Sequence, residues 1–137
     1  MELKETSASL AASFSGVVDL FGALPVPQPL DPQAFGDRVT QADRVREHDP
    51  RSLAENLRGL PLYVSWGDGQ PGPLDEPGAQ HDELEEQIGV GNERFVARLE
   101  ELGIPVTARG GTGTHAWPYW QRGLHEALPM LTEALGL

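Results

Sequence analysis

The chain has 137 residues, 39% of them apolar, a net charge of −11 from 21 acidic against 10 basic side chains, and no cysteine. That size suits one domain with a single core, spanning 1–137. The acidic balance repels phosphate backbones and anionic lipid, which argues against nucleic acid or a membrane surface as partner. The lack of Cys excludes disulfides, thiolate metal sites and cysteine catalysis.

Residues 1–10 form an atypical N-terminal segment. Glu2, Lys4 and Glu5 do not make the positive start of a secretory signal, and no unbroken apolar run follows, so the chain as written has no export address. No stretch approaches the apolar length of a membrane span. Leu10 to Val18 is apolar and small and reads as a buried strand. Pro25, Pro27, Pro29 and Pro32 make 22–37 a loop. Thr40 to His48 suits a short polar helix, ended by Asp49-Pro50. Ser52 and Glu55 match a capping box, which predicts a brief helix stopping at Gly59.

Leu60 to Trp66 is the clearest strand, and Gly67 to Pro77 is a Gly/Pro loop. An acidic helix is expected over His81 to Gln87 and a better one over Asn92 to Leu102. In the latter, Phe95, Leu99 and Leu102 recur at i, i+4 and i+7, and Gly103 is a natural stop. Ile104 to Ala108 is a third strand, running into Gly111-Thr112-Gly113-Thr114-His115. Pro118 sits well in the first turn of a last helix reaching about Leu135, and Pro129 should kink it. This alternation predicts an α/β fold with about three parallel strands and flanking helices. Working groups in such sheets lie beyond the C-terminal strand ends. The loop after Trp66 and the loop holding His115 both occupy such positions.

His115 is the residue best placed for chemistry. A loop imidazole titrates near neutrality and suits proton transfer once its position is fixed. Trp117, Tyr119 and Trp120 follow it; Trp120 reads as an anchor for the last helix, and Trp117 as shared between helix and site. A carboxylate on the far ring nitrogen would orient the base, and Glu85 and Asp68 are the two candidates; spacing does not choose between them. Asp82, Glu83 and Glu86 read as a solvated acidic face around Glu85. No cofactor is expected. Gly67-Asp68-Gly69-Gln70-Pro71-Gly72 has dinucleotide-loop spacing, but Pro71 lacks a needed N–H and Asp68 would repel a phosphate. His48, His81 and His125 show no metal-ligand spacing. A nucleophile is harder to place. Ser65 is followed by Trp66 and no helix, and Ser13-Phe14-Ser15-Gly16 likewise fails as a strained nucleophile elbow.

Taken in order, Ser13-Phe14-Ser15-Gly16, Asp49-Pro50, Leu62-Tyr63-Val64-Ser65, Gly67-Asp68-Gly69, Leu84-Glu85, Asn92-Glu93-Arg94-Phe95 and Gly113-Thr114-His115-Ala116-Trp117-Pro118-Tyr119-Trp120 resemble the C-terminal half of a known family. That family is the α/β-hydrolase esterases related to esterase D and the mycobacterial mycolyltransferases, and the resemblance spans about Ala11 to Leu137. It implies a partial α/β-hydrolase fold and a serine esterase or acyltransferase centre acting on a small acyl ester. In it His115 is the triad base, Glu85 matches the acid better than Asp68, and Trp117 packs beside the substrate. Ala116 stands where such enzymes often have Ser. The nucleophile elbow would precede Ser13, where this sequence has only Met1 to Ala12. The expectation is therefore a chain inactive alone, which self-associates or docks an N-terminal partner half. The alternative is a non-catalytic module binding an acyl or sugar ligand. Members of the family are often secreted.

Overall fold

The computed structural model describes residues 10–22 and 32–137; the polar segment 1–9 and the centre of the proline-rich stretch, 23–31, lie outside the described residues. The elements are β1 (Ala11–Phe14), α1 (Pro32–Phe35), α2 (Ala42–Arg46), a 3₁₀ helix (Ala54–Leu57), β2 (Leu62–Gly67), α3 (Glu83–Glu101), β3 (Thr107–Gly111) and α4 (Trp117–Leu135). All three strands are parallel in one sheet of order β1-β2-β3, with Ala11 opposite Leu62 and Tyr63 opposite Thr107. The arrangement is α/β, three parallel strands flanked by helices, as the alternation predicts.

Alternation along β2 divides its side chains between two layers. Leu62 and Val64 enter a core with Val18, Ala54, Phe95, Leu99 and Ile104, so α3 covers that face. On the other face α4 packs closely through Gly123, where an added Cβ would lie 2.8 Å from the Phe14 ring and 2.9 Å from Ser65 Oγ. Phe14 and Tyr63 pack ring to ring there at 5.7 Å.

The structure corrects several sequence expectations. The first strand stops at Phe14 rather than Val18, because the backbone turns at Ser15 with φ 48°. The end of the proline-rich stretch is a helical turn, α1, not loop. The capping box does not form: Ser52 Oγ donates instead to Asp49 Oδ2 at 2.5 Å, and the following turn is a 3₁₀ helix with no side-chain cap. The two helices expected around Ile88–Gly91 are one continuous helix, α3. Gly89 interrupts the sequence pattern for a packing reason. A Cβ there would lie 2.6 Å from the Gly67 carbonyl oxygen, so the missing side chain lets α3 press against the end of β2. The third strand begins at Thr107, later than expected, because Ile104 still belongs to the helix exit and donates its N–H to Leu99 O at 2.9 Å. Helix α4 runs through Pro129 and ends at Gly136, which takes the left-handed φ of 71°.

Candidate active site

The C-terminal ends of β2 and β3 and the N-terminus of α3 converge on one loop, 111–116. Asp82 builds this junction. It is the N-cap of α3, accepting from Leu84 N at 3.0 Å and Glu85 N at 3.1 Å through Oδ1. Its Oδ2 accepts the His115 N–H at 2.9 Å. One carboxylate thus ties the histidine loop to the helix that carries Glu85. Burial alone would push the Asp82 carboxyl upward, but the backbone donors of His115, Glu85 and Leu84, aided by the nearby imidazole charge, hold it below its ordinary value.

Two further acids brace the same loop. Asp68 accepts from Gly113 N and Thr112 Oγ1, both at 3.3 Å. Asp75 accepts from Thr114 Oγ1, from Tyr119 Oη at 2.8 Å and from Gly72 N at 2.8 Å. These bonds, led by that of Gly72, lower the Asp75 carboxyl against a burial penalty that opposes them. Tyr119 is pushed upward, first by its own burial and then by its bond to Asp75. Gly113 must be glycine here, since a Cβ would sit 2.5 Å from the Tyr119 ring.

The frame delivers His115 to Glu85. Nδ1 lies 2.6 Å from Glu85 Oε2, while the Glu85 side chain is fully buried and that of His115 is 27% exposed. Oε1 of the same carboxylate accepts from Ser15 Oγ at 2.7 Å and from Gly67 N at 2.6 Å. A carboxylate at this distance accepts the Nδ1 proton, which leaves the neutral ring's lone pair on Nε2. Among the described residues Nε2 has no hydrogen-bond partner. The Trp120 ring packs edge-on against the imidazole at 4.8 Å, and Trp117 packs edge-on against Trp120 at 5.8 Å.

Of the sequence candidates, the structure joins His115 to Glu85 and not to Asp68, which braces the loop backbone instead. The ring touching His115 is Trp120, read from sequence as a helix anchor; Trp117 stands outside it, 68% exposed. Ser65 lies on the α4 side of β2, against Gly123. Sequence reasoning passed over three participants. Ser15 was dismissed as a failed elbow, yet its hydroxyl reaches Glu85 across 70 positions. Asp82 looked like one acid in a run; the signal that could have found it is an Asp opening a helix, an ordinary N-cap. The Gly67 N–H carries no sequence signal at all. Among the described residues, no group of three or more His, Asp or Glu side chains could hold a metal ion. His81, for its part, pairs with Glu86 at 2.9 Å on the exposed face of α3.

No protein-family model matches the chain, and no curated protein matches it. Among the described residues no helix is long and apolar enough to cross a membrane.

Proposed function

We propose that His115 and Glu85 are the base and acid of an acyl-transfer centre, of the serine esterase or acyltransferase kind, whose attacking hydroxyl comes from outside the described residues. The observation that carries this reading is the pair itself. A fully buried carboxylate bonds Nδ1 at 2.6 Å, and among the described residues the opposite nitrogen of a partly exposed ring has no hydrogen-bond partner. That arrangement fixes the tautomer, aims Nε2 outward and stabilises the imidazolium formed when it takes a proton. An aromatic wall, Trp120, keeps the ring upright. Asp68 serves as a brace and is not the acid.

The test is p-nitrophenyl ester turnover. The purified chain alone should stay near the uncatalysed rate, and His115→Ala should change nothing. Expressed with a polypeptide carrying a G-x-S-x-G strand–turn–helix, it should gain hydrolysis that His115→Ala abolishes. Brisk His115-dependent turnover by the chain alone would sink the idea of an incomplete centre. The outer edge of β1 fits the need for a partner. Among the described residues no strand pairs with it, Ala11 and Ala12 are exposed, and an open strand edge recruits other chains. Size-exclusion chromatography should therefore show self-association, and a sharp monomer peak would count against it.

One observation favours a second reading, a binding module for an acyl or sugar ligand. Trp117 is 68% exposed beside the site, an apolar surface available to a ligand. Ligand-induced thermal stabilisation without turnover, surviving His115→Ala, would select it.

A further inference from the structure

We propose that Ser15 is a positioning residue for the acid of this centre: its hydroxyl, with the Gly67 N–H, holds one oxygen of the Glu85 carboxylate so that the other faces His115. The proposal rests on the acid–base reading of the His115–Glu85 pair.

Ser15 directly follows β1 with φ 48°, the one non-glycine residue at positive φ among the described residues. A side chain rarely takes this conformation, and it persists where the surroundings hold it. Here they do. The Ser15 N–H donates to Ser65 O at 2.8 Å, tying the turn to β2. The next carbonyl, Gly16 O, accepts from Asn92 Nδ2 at 3.0 Å, tying it to α3. Between those two anchors the Ser15 hydroxyl, itself buried, donates to Glu85 Oε1 at 2.7 Å.

Glycine would fit this backbone with less strain. The one thing serine adds is the hydroxyl, and the hydroxyl is spent on Glu85. A carboxylate can turn about its last torsion, and only some rotations point an oxygen at Nδ1. With two donors fixed on one oxygen, at 2.7 Å from Ser15 and 2.6 Å from Gly67, the plane of the group is held so that its other oxygen faces Nδ1. Three distant parts of the chain, β1, β2 and α3, thus meet on one carboxyl group.

The experiment compares the full-length chain with Ser15→Gly and Ser15→Ala. The readout is the low-field proton NMR resonance of His115 Nδ1–H, recorded near freezing and assigned by its loss in His115→Gln. Ser15→Gly should melt at or above the wild-type temperature, because glycine suits the turn, yet its resonance should be displaced or broadened by exchange with water. Ser15→Ala should perturb the resonance in the same way. An unchanged resonance in a folded Ser15→Gly protein overturns the role of Ser15 and leaves the acid–base reading standing. Absence of the resonance from the wild-type chain overturns the pair itself, and the acid–base reading with it.

Discussion

Two buried carboxylates, Asp49 and Glu85, make an instructive contrast. Asp49 is fully buried, and among the described residues its bonds go to groups that do not titrate near neutrality: Leu20 N at 2.7 Å, Ser52 N at 2.9 Å and Ser52 Oγ. Nearby Asp19, equally enclosed, accepts from Phe21 N and Gly22 N and pairs with Arg94 at 3.2 Å. These acids staple loops. Glu85 is as deeply buried and has two such donors on one oxygen, but its other oxygen meets an imidazole that solvent can reach. Burial therefore does not distinguish these acids. The partner on the last oxygen does.

The largest expected effects test that contrast directly. Asp49→Ala and Glu85→Ala should each cost about 3 kcal/mol of stability in denaturant unfolding, because each strands several buried donors. They should then part company: Glu85→Ala should alter the His115 ring resonances and remove any complemented esterase activity, and Asp49→Ala should do neither. Equal effects on His115 would erase the distinction drawn here.

A smaller effect is expected from Asp82, whose contribution depends on pH. Its carboxyl is held below the ordinary 3.8 in the folded chain. A lowered folded value means the unfolded chain binds the proton more readily, so the stabilisation is present above the ordinary value and is lost as pH falls through the lowered one. Asp82→Asn keeps one acceptor oxygen for the N-cap but turns an NH2 group toward the His115 N–H, and should cost about 1 kcal/mol at neutral pH. Its melting temperature should also fall less steeply than wild type between about pH 5 and about pH 3. Parallel melting curves would show that the Asp82 carboxylate does not hold the loop.

The smallest effects separate Asp68 and Trp117 from the pair. Asp68 is exposed and its two bonds to the histidine loop are long, at 3.3 Å, and Trp117 is 68% exposed, so alanine at either should change stability by no more than ~0.5 kcal/mol. Asp68→Ala should leave the His115 Nδ1 proton resonance in place. A resonance lost in Asp68→Ala would restore Asp68 as a rival to Glu85.

Much of this was legible in the residues, and the failures have physical causes. The second strand stood out because Leu62 to Trp66 is apolar, aromatic and bounded by turn residues. The last helix stood out because Pro118 suits its first turn. Helix α3 reads from sequence as two pieces, His81 to Gln87 and Asn92 to Leu102; between them Gly89 admits the Gly67 carbonyl, which lies 22 residues earlier (89 − 67), and the helix runs on. Ser52 misled in the opposite direction: a good capping pattern lost to Asp49, a stronger acceptor three residues away.

By itself the sequence determined the α/β alternation, the candidate loop histidine His115, the shortlist of two acids and the absence of thiol chemistry. Each follows from composition or from local periodicity. Only the tertiary structure chose Glu85 over Asp68, put Trp120 rather than Trp117 on the imidazole, and brought Ser15 to the carboxylate. Those choices depend on which strand ends lie side by side and on how closely a helix can approach them. Such distances are set by packing among residues far apart in the chain, where spacing carries no information.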